Sequence, residues 1–288
     1  MTNPSLPPEI LDCVIDPLHD EPETLKQCCL VSKSWVPRTR KHLFAGIKFR
    51  SADDFESWKK MFPDVANSPA YHTRALHVGC PWLVTAWDAE EDGWIRAFSG
   101  VASLDLDYCD RYIRAWEDSL APFHKFSPSL KSLRVCRIIF PCPQVFDLIH
   151  SFPLLEDLTL EGCDVPRLHG GDPHRSQTVT PSTPPAFTGS LNFHILGGAG
   201  SVAHRLLDLP NGLHFRKLAL TWDHEEDVSW ITKLVMTCSH TLESLDITSM
   251  YHRTSIYIHP VHVNNQLCFQ SGRGQPRSTS RKRRNSAT

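Results

Sequence analysis

The sequence predicts an α/β protein in which three short helices precede a curved solenoid of parallel strands with helices on its outer face. Apolar residues recur at helical spacing through the first 45 residues. After residue 73, short apolar strands return at a nearly constant interval, with helix-like segments between them. The hydrophobic content of 41% is that of an ordinary globular protein, so a sizeable core is expected.

The composition also bears on the surroundings of the protein. No run of about 18 apolar residues occurs, so no membrane span is predicted. The N-terminus MTNPSLPPEI has neither the basic nor the apolar region of a secretory signal. The ten cysteines are therefore interpreted as reduced thiols rather than as a disulfide framework. These features predict a protein of the cytoplasm, the nucleus or both.

The first predicted helix begins at Pro7 and Pro8 and should end or kink at Pro17. Its apolar stripe consists of Ile10, Leu11, Val14, Ile15 and Leu18. A second helix is predicted with Asp20 as its cap and Pro22 in its first turn, and Leu25, Cys28 and Cys29 line one side of it. A third begins near Ser34, with Trp35 as its anchor.

Three helices of this size display more large apolar surface than they readily hide among themselves. Part of that surface should be covered by the rest of the chain or by another protein. Tryptophan is a typical interface anchor, because it buries much area at little rotamer cost. An alternative is that the helices are an internal cap of a larger domain, with the same leucines buried inside it.

The order Leu-Pro-x-Glu-Ile-Leu, a helix with Leu-x-x-Cys, then Leu-Val-Ser-Lys-Ser-Trp and His-Leu-Phe resembles the F-box over roughly Ser5 to Phe49. The resemblance implies docking onto a Skp-type adaptor, and through it onto a cullin–RING ubiquitin ligase. The adaptor-binding positions that it implies are Leu6, Pro7, Ile10, Leu11, Ile15, Leu25, Leu30, Val31, Ser32 and Trp35. Pro17 is less typical of the family and leaves the end of the first helix open.

The repeat lies in the leading apolar residues of seven short strands, at positions 76, 104, 133, 158, 191, 218 and 245, which are separated by steps of 28, 29, 25, 33, 27 and 27. Helix-like segments lie between the strands, among them DRYIRAWEDSLAPF, PQVFDLIHSF, SVAHRLLDL and VSWITKLVMTC. Five of the six steps fall in the range of leucine-rich repeats. Cys109 and Cys163 occupy the Asn/Cys position of that pattern. An ordinary α/β domain with coincidental spacing is the alternative.

These patterns predict four regions. Residues 5–49 form an F-box-like adaptor-docking module, 50–73 a connector, and 74–250 a leucine-rich-repeat-like solenoid. A flexible insert at 166–190, rich in Pro, Ser, Thr and Gly, accounts for the step of 33 and carries Thr180 and Thr183 next to prolines. Residues 251–288 are predicted to be irregular and to end in a disordered basic tail. No cap closes the predicted solenoid, so a shortened chain remains an interpretation.

Charge is distributed unevenly along the chain. Residues 271–288 carry six basic residues and no acid, whereas the other 270 residues carry 24 bases against 32 acids. A basic tail, interpreted as a solubilising segment or a nuclear import signal, is therefore indicated, and a nucleic-acid-binding body is not.

No motif builds a convincing active site. HGGD (169–172) and LGGAGS (196–201) lack the nucleophile elbow or Walker pattern that their chemistry would need. The acidic stretch WDAEEDGW (87–94) is expected to be a solvated loop. His252, His259 and His262 are the densest histidine group, but they lack a zinc-ligand pattern. We expect no catalytic residue, no metal and no cofactor.

The expected function is that of a substrate-recognition subunit of a Skp–cullin–F-box ubiquitin ligase, tethering a protein target through the solenoid. Two alternatives stay open. One is a non-ligase F-box scaffold or protein-interaction solenoid, and the other is a hydrolase-like enzyme on the α/β body. The sequence identifies neither the target nor the solenoid residues that contact it.

Overall fold

The structure is a computed structural model of the 288-residue chain. It describes residues 7–79, 92–107, 123–124, 126, 129–137, 142–164, 185, 187–197, 199–209, 212–222, 228–249, 255–263 and 266–273. The fold is α/β, with one large sheet and helices packed against it.

The N-terminal helices follow the proline and apolar pattern of the sequence. Helix α1 spans Pro8–Ile15 and continues into a 3₁₀ turn at Asp16–Leu18, which contains Pro17. Helix α2 spans Pro22–Val31 and α3 spans Val36–Leu43. Each helix has a proline in its first turn, where the missing N–H costs no hydrogen bond. The predicted cap Asp20 is wrong, because α2 follows Glu21, which makes no side-chain cap hydrogen bond.

Eight parallel strands lie in the sheet in the order in which they occur along the chain. Their bounds are β1 Gly46–Phe49, β2 Ala75–Val78, β3 Ser103–Asp107, β4 Ser132–Cys136, β5 Asp157–Asp164, β6 Ser190–Gly197, β7 Lys217–Trp222 and β8 Ser244–Ser249. The seven strands expected from the sequence are therefore confirmed as strands of one parallel sheet.

The leading apolar residues of those strands form one ladder across the sheet. The pairing register joins Ile47, Leu76, Leu104, Leu133, Leu158, Leu191, Leu218 and Leu245, each to the next. All eight side chains are buried in the common core. Because side chains alternate between the faces of a strand, this register sends the intervening polar residues to the opposite face.

The remaining helices lie in the connections. They are α4 Ala52–Met61, α5 Asp92–Ala97, α6 Cys142–His150, α7 Ala199–Leu207 and α8 Val228–Thr237. Apolar residues of these helices join the ladder in a single core, so the helices cover one face of the sheet. The last three coincide with helix-like segments expected from the sequence. The expected helix at 110–123 falls almost entirely outside the described residues.

A repeated pattern of backbone hydrogen bonds connects the turns that precede successive strands. Arg74 and Ala75 donate their N–H groups to the carbonyl of Ala45, and Ala102 and Ser103 donate theirs to Arg74. The same double donation recurs from 131–132 to Ala102, from 156–157 to residue 131, from 216–217 to residue 189 and from 243–244 to residue 216. Each unit therefore fixes the start of the next, as expected for stacked supersecondary units.

The first strand was missed by the sequence analysis. Strand β1 lies at the end of the region assigned to the helical module and adds one strand to the expected seven. The predicted connector at 50–73 contains α4 and two 3₁₀ turns, at Val65–Asn67 and Pro69–His72. Phe55 of α4 is fully buried in the core, so this segment is part of the packed body.

Two further expectations are corrected in part. Trp94, expected in a solvated loop, lies on α5 and is buried, with its ring edge against Phe55 at a centroid distance of 6.2 Å. The predicted flexible insert ends earlier than residue 190, because Phe187 is buried against Phe215 and Ser190 begins β6. Thr180 and Thr183 lie outside the described residues.

The C-terminal region differs from the expected irregular chain. Strands β9 (Ser255–Val263) and β10 (Gln266–Arg273) form an antiparallel pair, and β9 pairs with the free edge of β8. The expectation of an uncovered end after β8 is therefore wrong, because main-chain hydrogen bonds of β9 occupy that edge. Residues 274–288 lie outside the described residues.

Candidate functional site

The predicted adaptor-binding residues divide into exposed and buried groups. Four of the eight large apolar side chains that are exposed in the described part of the chain lie on α1 and α2. They are Ile10 (49% exposed), Val14 (46%), Leu30 (80%) and Val31 (66%). Pro7 and Ser32 are also exposed, Trp35 is half-buried, and Leu6 lies outside the described residues. We call Ile10, Val14, Leu30 and Val31 the N-terminal apolar residues.

Leu11, Ile15 and Leu25 are buried inside the chain. In the free chain they are therefore interior residues that stabilise the fold of the N-terminal helices. The alternation follows from the helical period, because Leu11 and Ile15 lie one residue after Ile10 and Val14 and therefore face about 100° away. Cys28 is buried and Cys29 is half-buried, as expected for small core residues.

A charged cluster holds α3 against the end of α1. The Arg38 guanidinium donates two hydrogen bonds to the carboxylate of Asp16, one of them from Nε at 2.6 Å. His42 Nε2 lies 2.8 Å from Asp16 Oδ1, and Arg38 Nε is 3.2 Å from Asp12 Oδ1. The hydrogen bond from Arg38 holds the pKa of Asp16 well below its usual range. Side-chain hydrogen bonds and ion pairs therefore join α3 to α1 and to the turn that follows it.

The helical segment is continuous with the sheet. Strand β1 begins three residues after the end of α3. Phe44, which ends α3, packs edge-on against Trp58 and Phe62 of the α4 region at centroid distances of 5.7 and 5.8 Å. Trp58 in turn packs against Phe49 of β1 at 5.9 Å. The position of the N-terminal helices is thus fixed by aromatic contacts with the body.

The face of the sheet opposite the core carries a polar network over four strands. His77 Nδ1 lies 2.8 Å from Asp105 Oδ2, and Arg134 Nη1 donates to the same oxygen at 3.3 Å. Arg134 Nη2 donates to Glu161 Oε2 at 2.7 Å. On the neighbouring row, Arg137 donates two hydrogen bonds to Asp107, at 2.8 and 2.6 Å. We call the residues on this side of β1–β8 the polar face.

The network keeps the Glu161 carboxylate ionised, and the neighbouring Cys136 thiol is not activated as a nucleophile. The hydrogen bond from Arg134 lowers the pKa of Glu161 and keeps it ionised. Burial raises the pKa of the neighbouring Cys136 thiol to about 12. Since the thiolate is the nucleophilic form, this cysteine is unreactive at neutral pH.

Beyond the network, a depression of about 500 Å³ opens on the polar face. Four uncharged residues line it, Thr159, Asn192, Ala219 and Thr221. The charged Arg134 and Glu161 of the network also line it. Asn192 Nδ2 donates to Thr159 Oγ1 at 3.2 Å. The depression offers amide and hydroxyl groups to a polar ligand.

A β-bulge lies where the network meets this depression. The register between β5 and β6 shifts at Glu161 and Cys163, and Gly162 between them has φ +61°. Glycine adopts this conformation without the steric cost that other residues incur. The bulge changes the direction of the backbone at the end of β5, next to Arg137. The Arg137 N–H donates to the Glu161 carbonyl at 2.7 Å.

The sequence analysis missed the polar face. His77, Asp105 and Arg134 each directly follow a ladder leucine, and their strands pair at these positions. The steps between them are therefore those of the repeat itself. Aligning the residue after each leading leucine would have placed His77, Asp105 and Arg134 on neighbouring strands, an arrangement typical of cross-strand pairing.

Together, the fold and these surfaces define an α/β protein with sequentially ordered parallel strands, exposed apolar side chains on its first two helices and a polar sheet face. No family model, curated protein or solved structure significantly matches the chain. Within the described residues, no helix has the length and apolarity needed to cross a membrane. In that same part of the chain no three His, Cys, Asp or Glu side chains come together as a metal site would require. His252 lies outside the described residues, and β9, which carries His259 and His262, is described by its backbone alone.

Proposed function

We propose that this chain is the substrate-recognition subunit of a Skp–cullin–F-box ubiquitin ligase. The observation that carries the proposal is the exposure of Ile10, Leu30 and Val31, apolar residues at positions where the F-box resemblance expects contact with the adaptor. Exposed large apolar side chains on two successive helices favour an interaction surface, since their burial by a partner is favourable.

In this proposal the strand–helix units are degenerate leucine-rich repeats, and the polar face holds the target protein. The in-register leucine ladder supports this assignment, as do the steps of 25–29 residues in five of the six intervals. The target and the ligase would then be held on one body, since aromatic contacts fix the N-terminal helices to the sheet.

The mechanism is tethering rather than covalent chemistry. Holding a target near the charged ubiquitin donor raises the local concentration of its lysines, so transfer becomes effectively intramolecular. No residue of this chain needs to form a covalent intermediate, and no metal or cofactor is required. The protein would act in the cytoplasm, the nucleus or both, where the ligase components occur.

The test is binding of the full chain to a recombinant Skp-type adaptor, measured by isothermal titration calorimetry. The test variant Ile10→Asp places a charge among the N-terminal apolar residues. The control variant Met236→Asp places the same charge on α8, where Met236 is 62% exposed. We expect stoichiometric binding by the wild type and by Met236→Asp, and at least tenfold weaker binding by Ile10→Asp.

Failure of the folded wild-type chain to bind the adaptor would overturn the proposal. Binding without ubiquitin transfer in a reconstituted reaction with cullin, RING protein and charged ubiquitin-conjugating enzyme would favour a non-ligase scaffold. Transfer of ubiquitin to the adaptor-bound chain, lost in Ile10→Asp, would support the ligase subunit.

A further inference from the structure

The strongest unassigned feature is a group of basic side chains where α3 meets the start of β2. Arg40 and Lys41 lie in the last turn of α3, His72 ends a 3₁₀ turn, and Arg74 lies one residue before β2. We call these four residues the basic patch. The Tyr71 ring, which is exposed, contacts the His72 ring at a centroid distance of 4.0 Å.

Backbone hydrogen bonds bring these segments together. Ala45, which follows α3, accepts the N–H groups of Arg74 at 2.7 Å and of Ala75 at 2.9 Å. The Arg74 guanidinium is held in place, because its Nη1 donates to the Gly100 carbonyl at 2.9 Å. A Cβ atom at Gly100 would lie 2.6 Å from that nitrogen, so the glycine permits this close approach. The patch is therefore built from two chain segments, 40–41 and 72–74, and the Gly100 carbonyl of a third segment holds Arg74 in place.

The cations of the patch have no carboxylate partner. In the part of the chain that the structure describes, no carboxylate lies within ion-pair distance of Arg40, Lys41 or Arg74. Some basic residues elsewhere do have one, namely Lys26, Arg38, Lys131, Arg134 and Arg137. Burial, and then the charges of Arg40, Lys41 and Arg74, lower the pKa of His72. The charged groups that lower the pKa of His72 are all cations, so the electrostatic potential at the patch is positive.

We propose that the basic patch binds an acidic peptide segment of a partner protein. Arg40, Lys41 and Arg74, which have no carboxylate within ion-pair distance among the described residues, provide charge complementarity, and Tyr71 supplies an adjoining ring for apolar contact. A nucleic acid fits less well, because the first 270 residues carry 24 basic against 32 acidic residues and would repel an extended polyanion. The inference does not depend on adaptor binding.

The probe for the test is a fluorescein-labelled dodecapeptide of alternating Glu and Gly, with a Gln–Gly peptide as the uncharged control. The protein is the full-length chain in which Arg281, Lys282, Arg283 and Arg284 are all replaced by Gln, so that the basic tail contributes nothing. Binding is followed by fluorescence anisotropy at low and at physiological salt, because contacts between exposed charges weaken as ionic strength rises.

The decisive variants form a matched pair. Lys41→Glu reverses a charge in the basic patch, and Lys233→Glu makes the same change at an exposed lysine of α8. We expect Lys41→Glu to weaken binding about tenfold or more, as for loss of a complementary charge at an interface, and Lys233→Glu to change it less than about twofold. Arg74→Gln should also weaken binding, whereas Arg74→Lys, which keeps the charge, should retain most of it.

An independent readout is the pKa of His72 measured by NMR. A bound carboxylate beside the ring stabilises the imidazolium, so the pKa should rise when the acidic peptide is added. Equal effects of Lys41→Glu and Lys233→Glu, no binding at low salt, or an unchanged His72 pKa in the presence of bound peptide would each overturn the proposal. Tighter binding of a twelve-residue oligothymidine that is lost in Lys41→Glu would assign the patch to nucleic acid instead.

Discussion

Two leucines on helix α2 lie five residues apart and should behave in opposite ways. Leu25 is 1% exposed and Leu30 is 80% exposed. We predict that Leu25→Ala lowers stability and that the double variant Leu30→Ala/Val31→Ala lowers adaptor affinity instead. The pair separates a structural role from a binding role within one helix, with the same chemical change at each leucine.

The magnitudes follow from burial. Removing a buried leucine side chain costs about 2–5 kcal/mol of unfolding free energy, through lost transfer energy and the cavity that remains. Complete burial of an apolar side chain is worth about 1.5–3 kcal/mol, so a partner that covers Leu30 and Val31 gains about 1–2 kcal/mol from each. Their joint replacement should therefore weaken binding about 30- to 1000-fold. The same change at exposed positions should alter stability by less than about 0.5 kcal/mol.

Stability is measured by urea unfolding of the free chain, and affinity by calorimetric titration with a Skp-type adaptor. Leu25→Ala should shift the urea midpoint clearly, and the double variant should leave it almost unchanged. If the double variant binds the adaptor as tightly as the wild type, docking through the N-terminal apolar residues is refuted. If the double variant unfolds as readily as Leu25→Ala, then Leu30 and Val31 contribute to the core and the inference that they are exposed is refuted.

Three further predictions concern the sheet. Leu191→Ala should destabilise the chain by about 2–5 kcal/mol, because Leu191 is buried in the ladder. Asn192→Ala, on the polar face, should cost less than about 1 kcal/mol. Thermal and urea unfolding check both variants. Iodoacetamide at pH 8 should alkylate the exposed Cys13 and spare buried Cys136, whose pKa is raised to about 12, as peptide mass spectrometry will show. The folded-state pKa of Glu161 is lowered, so its contribution to stability is present above its unfolded-state pKa and lost as the pH falls through the folded one. The urea midpoint of Glu161→Gln should accordingly lie below that of the wild type at neutral pH and approach it in acid, and a constant difference would contradict this.

Much of the fold could be predicted because the repeat is local and simple. A leucine returning at nearly constant steps identified seven strands, and the pairing register joins those same residues. Strand β1 was missed, although Ile47 precedes Leu76 by a repeat-like step of 29, since its residues had been assigned to the helical segment. Strands β9 and β10 were missed because they run antiparallel and leave the repeat spacing. The alternation in SIYIHPVHV is the period-2 signal that could have found β9.

The candidate site was less predictable. The resemblance of the first helices to the F-box predicted ten positions for adaptor contact, without separating exposed residues from those buried inside the chain. Ile10 and Leu11 are neighbours in the chain, yet one is exposed and the other buried. Which side of an amphipathic helix is covered depends on where the other helices lie, and propensity and hydrophobicity do not contain that information.

The sequence by itself determined the secondary-structure period, the residues of the leucine ladder and the resemblance of the first helices to a docking module. Only the tertiary structure decided which apolar side chains remain exposed, which charges on neighbouring strands pair, and which cations of the basic patch lie apart from the carboxylates of the described residues. The physical reason is that period and composition are local properties of the chain. Exposure and charge pairing depend on atoms brought together from residues that lie tens of positions apart.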